Sequence, residues 1–198
     1  MRKKPTQQRA EKTVEIISEA AIQLLDTPVS PDFTTNHIAE RAGVSVGTLY
    51  RYFPDKGAIL RHIVRQELEM LREGLEEIID SSDAKDAQNL LREVLEHTVR
   101  KFGGRTAVAG HVRKFLASEE DLQREIHDVR LDVLRKLHRK IVSLEPSRTN
   151  PLSDATLSAV LEAFLAAVRS LAEYDHARSA NTELRLKLIN SLLATFSE

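Results

Sequence analysis

Apolar residues return every three or four positions along almost the whole chain, the spacing that gives a helix one buried stripe. From Glu11 to Asp26 the stripe is Val14, Ile17, Ala21, Leu24 and Leu25. "TPVSPDF" breaks it with two prolines, which fix φ and withhold an amide donor. Thr34 then stands as an N-cap before "TNHIAERA", a short helix expected to bury Ile38, Ala39 and Ala42. Gly43 ends that helix, because glycine takes the left-handed conformation without a Cβ penalty. Ser45 caps the next, "VGTLYRYF", and Pro54 stops it. Asp55 caps a long fourth helix from about Lys56, lined by Ile59, Leu60, Ile63, Val64, Leu68, Leu71, Leu75 and Ile78.

The remainder repeats this pattern. Ala87, Leu90, Leu91, Val94, Leu95, Thr98 and Phe102 line a fifth helix, and Val108, Val112, Phe115 and Leu116 a shorter sixth. "SEED" reads as a capping box, Ser118 with Asp121, opening a seventh with Leu122, Ile126, Val129, Val133 and Leu137. Two more helices are expected over roughly 153–174 and 182–196. No stretch alternates with period two. The fold class is therefore all-α, with about nine helices divided into an N-terminal domain over 1–55 and a larger helical domain over 56–198.

Composition removes function classes without naming one. The 198 residues carry a formal net charge of −1 and no cysteine, so disulfides, thiolate metal sites and a thiol nucleophile are excluded. "MRKKP" lacks a following apolar segment, and no apolar run approaches the roughly 20 residues that span a bilayer. A cytoplasmic protein with no membrane partner is expected. No Gly-rich phosphate loop, H-E-x-x-H or nucleophile elbow occurs, and the histidines at 37, 62, 97, 111, 127, 138 and 176 have no ligand spacing. Neither catalytic residues nor a metal nor a cofactor is expected. Charge is uneven in one place: residues 1–12 hold Arg2, Lys3, Lys4, Arg9 and Lys12 against Glu11 alone, a tail that either solubilises the chain or reaches nucleic acid.

The stretch "GVSVGTLYRYFPDKGAIL", residues 43–60, carries three aromatics in a chain with 5% aromatic residues. A short helix, a turn containing glycine and a second short helix form a helix-turn-helix. Leu49 and Phe53 lie four apart on one face and fill the small domain. Tyr50 and Tyr52 are left to meet a duplex, each with an apolar body and a hydroxyl able to reach phosphate. Val46 and the methyl of Thr48 suit thymine methyl groups, and Lys56 opens a helix whose amide groups favour phosphate.

"FTTNHIAERAGVSVGTLYRYFPDKGAIL" closely resembles the DNA-binding signature of the TetR family of bacterial transcriptional repressors, with Ile38-Ala39, Ala42-Gly43-Val44-Ser45, Gly47-Thr48-Leu49-Tyr50, Tyr52-Phe53 and Lys56 in place. The resemblance implies a homodimer on double-stranded operator DNA, released by a small-molecule effector bound in the C-terminal domain. Thr34, Thr35 and Asn36 would touch backbone or bases. Val46, Gly47, Thr48 and Tyr50 would face the groove, Tyr52 and Lys56 would meet phosphates, and Ser45 and Arg51 would complete the surface. Where some relatives carry arginine, Asn36 would pair with adenine instead.

"LSAVLEAFLAAVRSLA" in the eighth helix is apolar nearly all round, so it needs cover on every side. A second subunit supplies that cover through Val160, Ala163, Phe164, Ala167 and Leu171, together with Leu188, Leu192 and Phe196 of the ninth helix. His97, Arg100, Phe102, His111 and Phe115 are candidates for a pocket with apolar walls and a few charges, suited to an anionic amphiphile; surface charge on amphipathic helices explains the same residues. Two functions follow. One is a ligand-responsive repressor, and the other a helix-turn-helix regulator that works through protein partners without a ligand.

Overall fold

Pro5 starts the first helix well ahead of its apolar stripe. Proline suits the first helical position, where no amide donor is needed and its fixed φ is already helical. A computed structural model of the chain describes residues 5–26, 33–102 and 106–144, with positions 153, 155, 156, 158, 159, 163, 187, 190 and 191 beyond them. The described part holds seven helices: α1 Pro5–Leu25, α2 Thr35–Ala42, α3 Val46–Tyr52, α4 Lys56–Ser81, α5 Ala87–Phe102, α6 Thr106–Leu116 and α7 Glu120–Leu144. The backbone is also helical at Ala155, Thr156, Ser158, Ala159, Ala163, Lys187, Asn190 and Ser191, within the two further helices expected from the sequence. Arg9 and Lys12 of the basic segment stand on α1, whereas Arg2, Lys3 and Lys4 lie outside the described residues.

The chain forms two compact units, residues 1–67 with 105–122 and residues 68–104 with 123–198. In the first, Ile17, Ala20 and Ala21 of α1 pack with Ile38 and Ala39 of α2, Leu49 and Phe53 at α3, and Ile59 and Ile63 of α4. A second cluster joins Leu25 and Leu60 to Val112 and Phe115 of α6. Each fully buried Leu, Ile or Phe contributes about 1.5–3 kcal/mol through apolar burial. Without these contacts the two shortest helices would not persist.

The second unit is a plain helical core. Leu71, Leu75 and Ile79 of α4 meet Leu90, Leu91, Val94 and Leu95 of α5 and Leu131, Leu134, Leu137 and Ile141 of α7. Thr98, fully buried, donates its hydroxyl to the Val94 carbonyl at 2.7 Å, so its polar group costs little. The His97 imidazole lies against Gly74, where a Cβ would stand 2.7 Å from Nε2. On the outside, Lys136 pairs with Asp80 at 2.7 Å and Arg72 with Glu76 at 2.8 Å.

Several details differ from the sequence reading. Ala42, expected to be buried, is half-buried and only flanks the core of the first unit. Ile79 is buried in α4, and Ile78 only flanks the core. In α7 Val129 is half-buried, and Leu131, Leu134 and Ile141 join Val133 and Leu137 in the core. A helix of 3.6 residues per turn rotates its stripe over such lengths, so neighbouring apolar positions exchange roles. α7 begins at Glu120, with Glu120 and Asp121 in its first turn, while the Ser118 hydroxyl donates back to the Phe115 carbonyl at 3.0 Å. Carboxylates at a helix start interact favourably with the helix dipole.

Candidate nucleic-acid interface

Side-chain caps define α2 and α3. The Thr34 hydroxyl accepts from the His37 amide at 3.3 Å and opens α2. Gly43 closes it with φ 66°, in the left-handed region that a Cβ disfavours. The Gly43 and Val44 amides then donate to the Glu40 and Ala39 carbonyls, satisfying the helix end. Ser45 Oγ accepts from the Thr48 amide at 3.0 Å and lies 2.8 Å from Thr48 Oγ1. Past α3, Asp55 Oδ1 accepts from the Ala58 amide at 2.7 Å and opens α4.

That last cap is braced. Arg61 reaches Asp55 at 3.5 Å with one nitrogen and both Glu119 oxygens at 3.1 and 3.2 Å with the other. Lys56, next to the cap, is exposed. Beneath α3, the Phe53 and His62 rings stand 5.5 Å apart at 57°. Burial first, then the charge of Arg65, hold the His62 imidazole below the ordinary histidine range.

The outer face of this unit carries the residues singled out from the sequence. Thr34, Asn36, Ser45, Val46, Gly47, Tyr50, Arg51 and Lys56 are exposed, and Thr35, Thr48 and Tyr52 are half-buried. Val46 is 37% exposed and Tyr50 50%, on a helix whose Leu49 is fully buried. A Cβ at Gly47 would meet nothing closer than Ser45 Oγ at 4.0 Å, so packing within the chain does not require this glycine. Tyr52 packs partly against the core, with the Arg51 guanidinium 5.7 Å from its ring centroid. The Tyr50 hydroxyl lies 3.1 Å from Thr35 Oγ1. This pair and the Arg61–Glu119 pair lie 15 and 58 residues apart in sequence, separations at which no spacing rule operates.

The other candidates are distributed differently. His97 and Arg100 belong to the second unit, His97 half-buried and Arg100 exposed; Phe102 ends α5 there, and its side chain lies outside the description. His111 and Phe115 belong to the first unit, His111 exposed and Phe115 packed with Leu25 and Leu60. Of the expected dimer residues, Ala163 is helical and exposed, and Val160, Phe164, Ala167, Leu171, Leu188, Leu192 and Phe196 lie outside the described residues. Among the described residues no group of three or more His, Asp or Glu could hold a metal ion, and no helix is long and apolar enough to cross a membrane.

Two short capped helices around a glycine turn, on a rigid core and with apolar and hydroxyl groups turned outward, make a DNA-binding helix-turn-helix. The family model described as "Bacterial regulatory proteins, tetR family" matches residues 17–63. The chain belongs to the TetR family of DNA-binding transcriptional regulators, which are not enzymes. It is 29% identical over 154 residues to the nucleoid occlusion factor SlmA of Photobacterium profundum, covering 74% of this chain and 76% of that one. Its fold is similar to that of the fatty acid degradation regulator FadR from Bacillus halodurans, with TM-score 0.72 at 15% identity over 100% of this chain and 97% of that one. It is also similar to FadR from Bacillus subtilis in complex with stearoyl-CoA, with TM-score 0.70 at 20% identity over 93% and 97%. Membership of the family implies operator DNA and a dimer.

Proposed function

We propose that the chain is a homodimeric repressor whose helix-turn-helix holds an operator and whose remaining helices bind a small molecule that releases it. Residues 1–55 are the DNA-binding domain in this reading, and 56–198 the effector-binding and dimerisation domain. One observation carries the DNA half: Val46 and Tyr50 are exposed on the short capped helix that buries Leu49. Val46, Gly47 and Thr48 then line the groove, Asn36 meets adenine, and Arg51, Tyr52 and Lys56 meet phosphates. The dimer is built on the eighth and ninth helices, and the exposure of Ala163 supports that reading. The effector is an anionic amphiphile, for which stearoyl-CoA is the first probe.

A second reading follows from the sequence, a helix-turn-helix regulator that acts through protein partners and needs no small molecule. The relative named a nucleoid occlusion factor, which is not named for a small molecule, is the reason to keep it. A gel shift separates the two. Purified protein is bound to a duplex that it has selected from a random pool, then titrated with acyl-CoA and related amphiphiles while its melting temperature is followed. Release together with a raised melting temperature supports the sensor. A panel that moves neither favours the partner reading. Sedimentation of Ala163→Glu tests the interface: loss of the dimer is expected, and a variant that remains a stable dimer contradicts it.

A further inference from the structure

Tyr50 stands on the exposed side of α3, and Thr35 is the first residue of α2. Their hydroxyls lie 3.1 Å apart, a side-chain hydrogen bond that joins the two helices of the motif directly. An unrestrained surface phenol turns about two torsions and its hydroxyl sweeps a wide arc. Thr35 Oγ1 stands one torsion from the backbone, so it moves through a far smaller arc than the phenol hydroxyl. Thr35 sits on a well-anchored turn, because the preceding Thr34 accepts from the amides of His37 and Ile38. The bond therefore fixes where the Tyr50 hydroxyl stands.

Its direction matters as much as its presence. In a docked helix-turn-helix the second helix enters the major groove, and the first crosses the sugar-phosphate backbone. A hydroxyl drawn from α3 toward α2 moves toward the helix that crosses the backbone. When Thr35 donates to the phenol oxygen, the phenol proton is left to donate onward.

We propose that Thr35 is a positioning residue: it holds the Tyr50 hydroxyl as a donor to a backbone phosphate, so that Tyr50 anchors the duplex without reading its sequence. This rests on the reading of α2 and α3 as the DNA surface, and it replaces two expectations from the sequence. Tyr50 does not face base edges, and Thr35 acts through Tyr50. Phosphates occur at every sequence, so the contact carries no base preference. A neutral hydroxyl displaces no counterion, so it leaves the salt dependence alone.

Fluorescence anisotropy of the full-length protein tests this on the selected duplex and on a scrambled one. Tyr50→Phe and Thr35→Val should each weaken both duplexes by the same factor, about 2- to 12-fold for one hydrogen bond. Salt slope and melting temperature should not change. Thr35→Ser, which keeps the hydroxyl, should bind as the parent does. The double variant Thr35→Val/Tyr50→Phe should bind no more weakly than either single. Losses that multiply in the double variant would make Thr35 an independent contact and overturn the inference. So would a loss confined to the selected duplex, which would make Tyr50 a base reader. If Tyr50→Phe weakens binding and Thr35→Val does not, the positioning role alone fails. If the parent protein selects no duplex at all, the underlying DNA reading fails with it.

Discussion

α2 and α3 are eight and seven residues long, whereas α4 and α7 run for 26 and 25. Isolated helices of the first kind are unstable in water, so each short helix depends on particular residues. Thr34, Gly43 and Ser45 fix its ends, and Ile38, Ala39, Leu49 and Phe53 hold it down. The long helices depend on no single residue. Their stability is spread over stripes such as Leu71–Leu75–Ile79 and Leu134–Leu137–Ile141, and any amphipathic sequence of that period would serve. Where structure hangs on individual residues, the sequence also names the function. Where it hangs on a period, the sequence gives a helix and leaves its use open.

The largest effect that could break this contrast is in the core. Phe53→Ala should cost about 3–5 kcal/mol and remove DNA binding because the helix-turn-helix unfolds. Leu91→Ala, also buried, should cost about 2–5 kcal/mol but leave the first unit able to bind DNA at temperatures below its own melt. Thermal melts beside anisotropy separate the cases; equal loss of binding in both variants would mean that the two units do not differ in this way.

A smaller effect sharpens it. Ser45→Ala removes the cap of α3 and should cost about 1 kcal/mol, within the 0.5–2 kcal/mol of such caps, readable as a lower urea midpoint. A comparable change at an exposed position inside a long helix, such as Glu73→Ala, should move the midpoint little.

The smallest is a pH dependence. In the folded chain, burial keeps His62 neutral at pH values where the unfolded chain, with a histidine near pKa 6.5, already takes up a proton. Its contribution is therefore fully present above about pH 6.5 and is lost as pH falls toward the lowered folded value. Melting temperature should fall between about pH 7.5 and 5.5, and less steeply in His62→Gln. An identical slope in both proteins would show that His62 is not the group responsible.

Much of the first unit was legible because its information is local. A cap acts over three residues, and a left-handed glycine on its own backbone, so Thr34, Gly43, Ser45 and Asp55 could be read in place. The Thr35–Tyr50 and Arg61–Glu119 pairs were not legible, since each depends on how two elements meet. The choice of Ile79 over Ile78 was hidden for another reason: both are apolar, and only packing decides which one enters the core and which flanks it. His97, Arg100 and His111 carry polar groups on amphipathic helices, where a pocket and a solvated face share one pattern.

The central claim is that the exposed face of α3 holds DNA and contributes nothing to folding. Val46→Glu tests it most directly. The side chain is exposed, so the melting temperature should stay within the range of a surface change, roughly 0.5 kcal/mol. A carboxylate brought into the groove of a polyanion should abolish binding to the selected duplex and to the scrambled one. Anisotropy of Val46→Glu and the parent protein, at one salt concentration and beside their melts, gives the answer. An unchanged melt with binding lost is the predicted result; a variant that binds DNA as tightly as the parent would contradict the account.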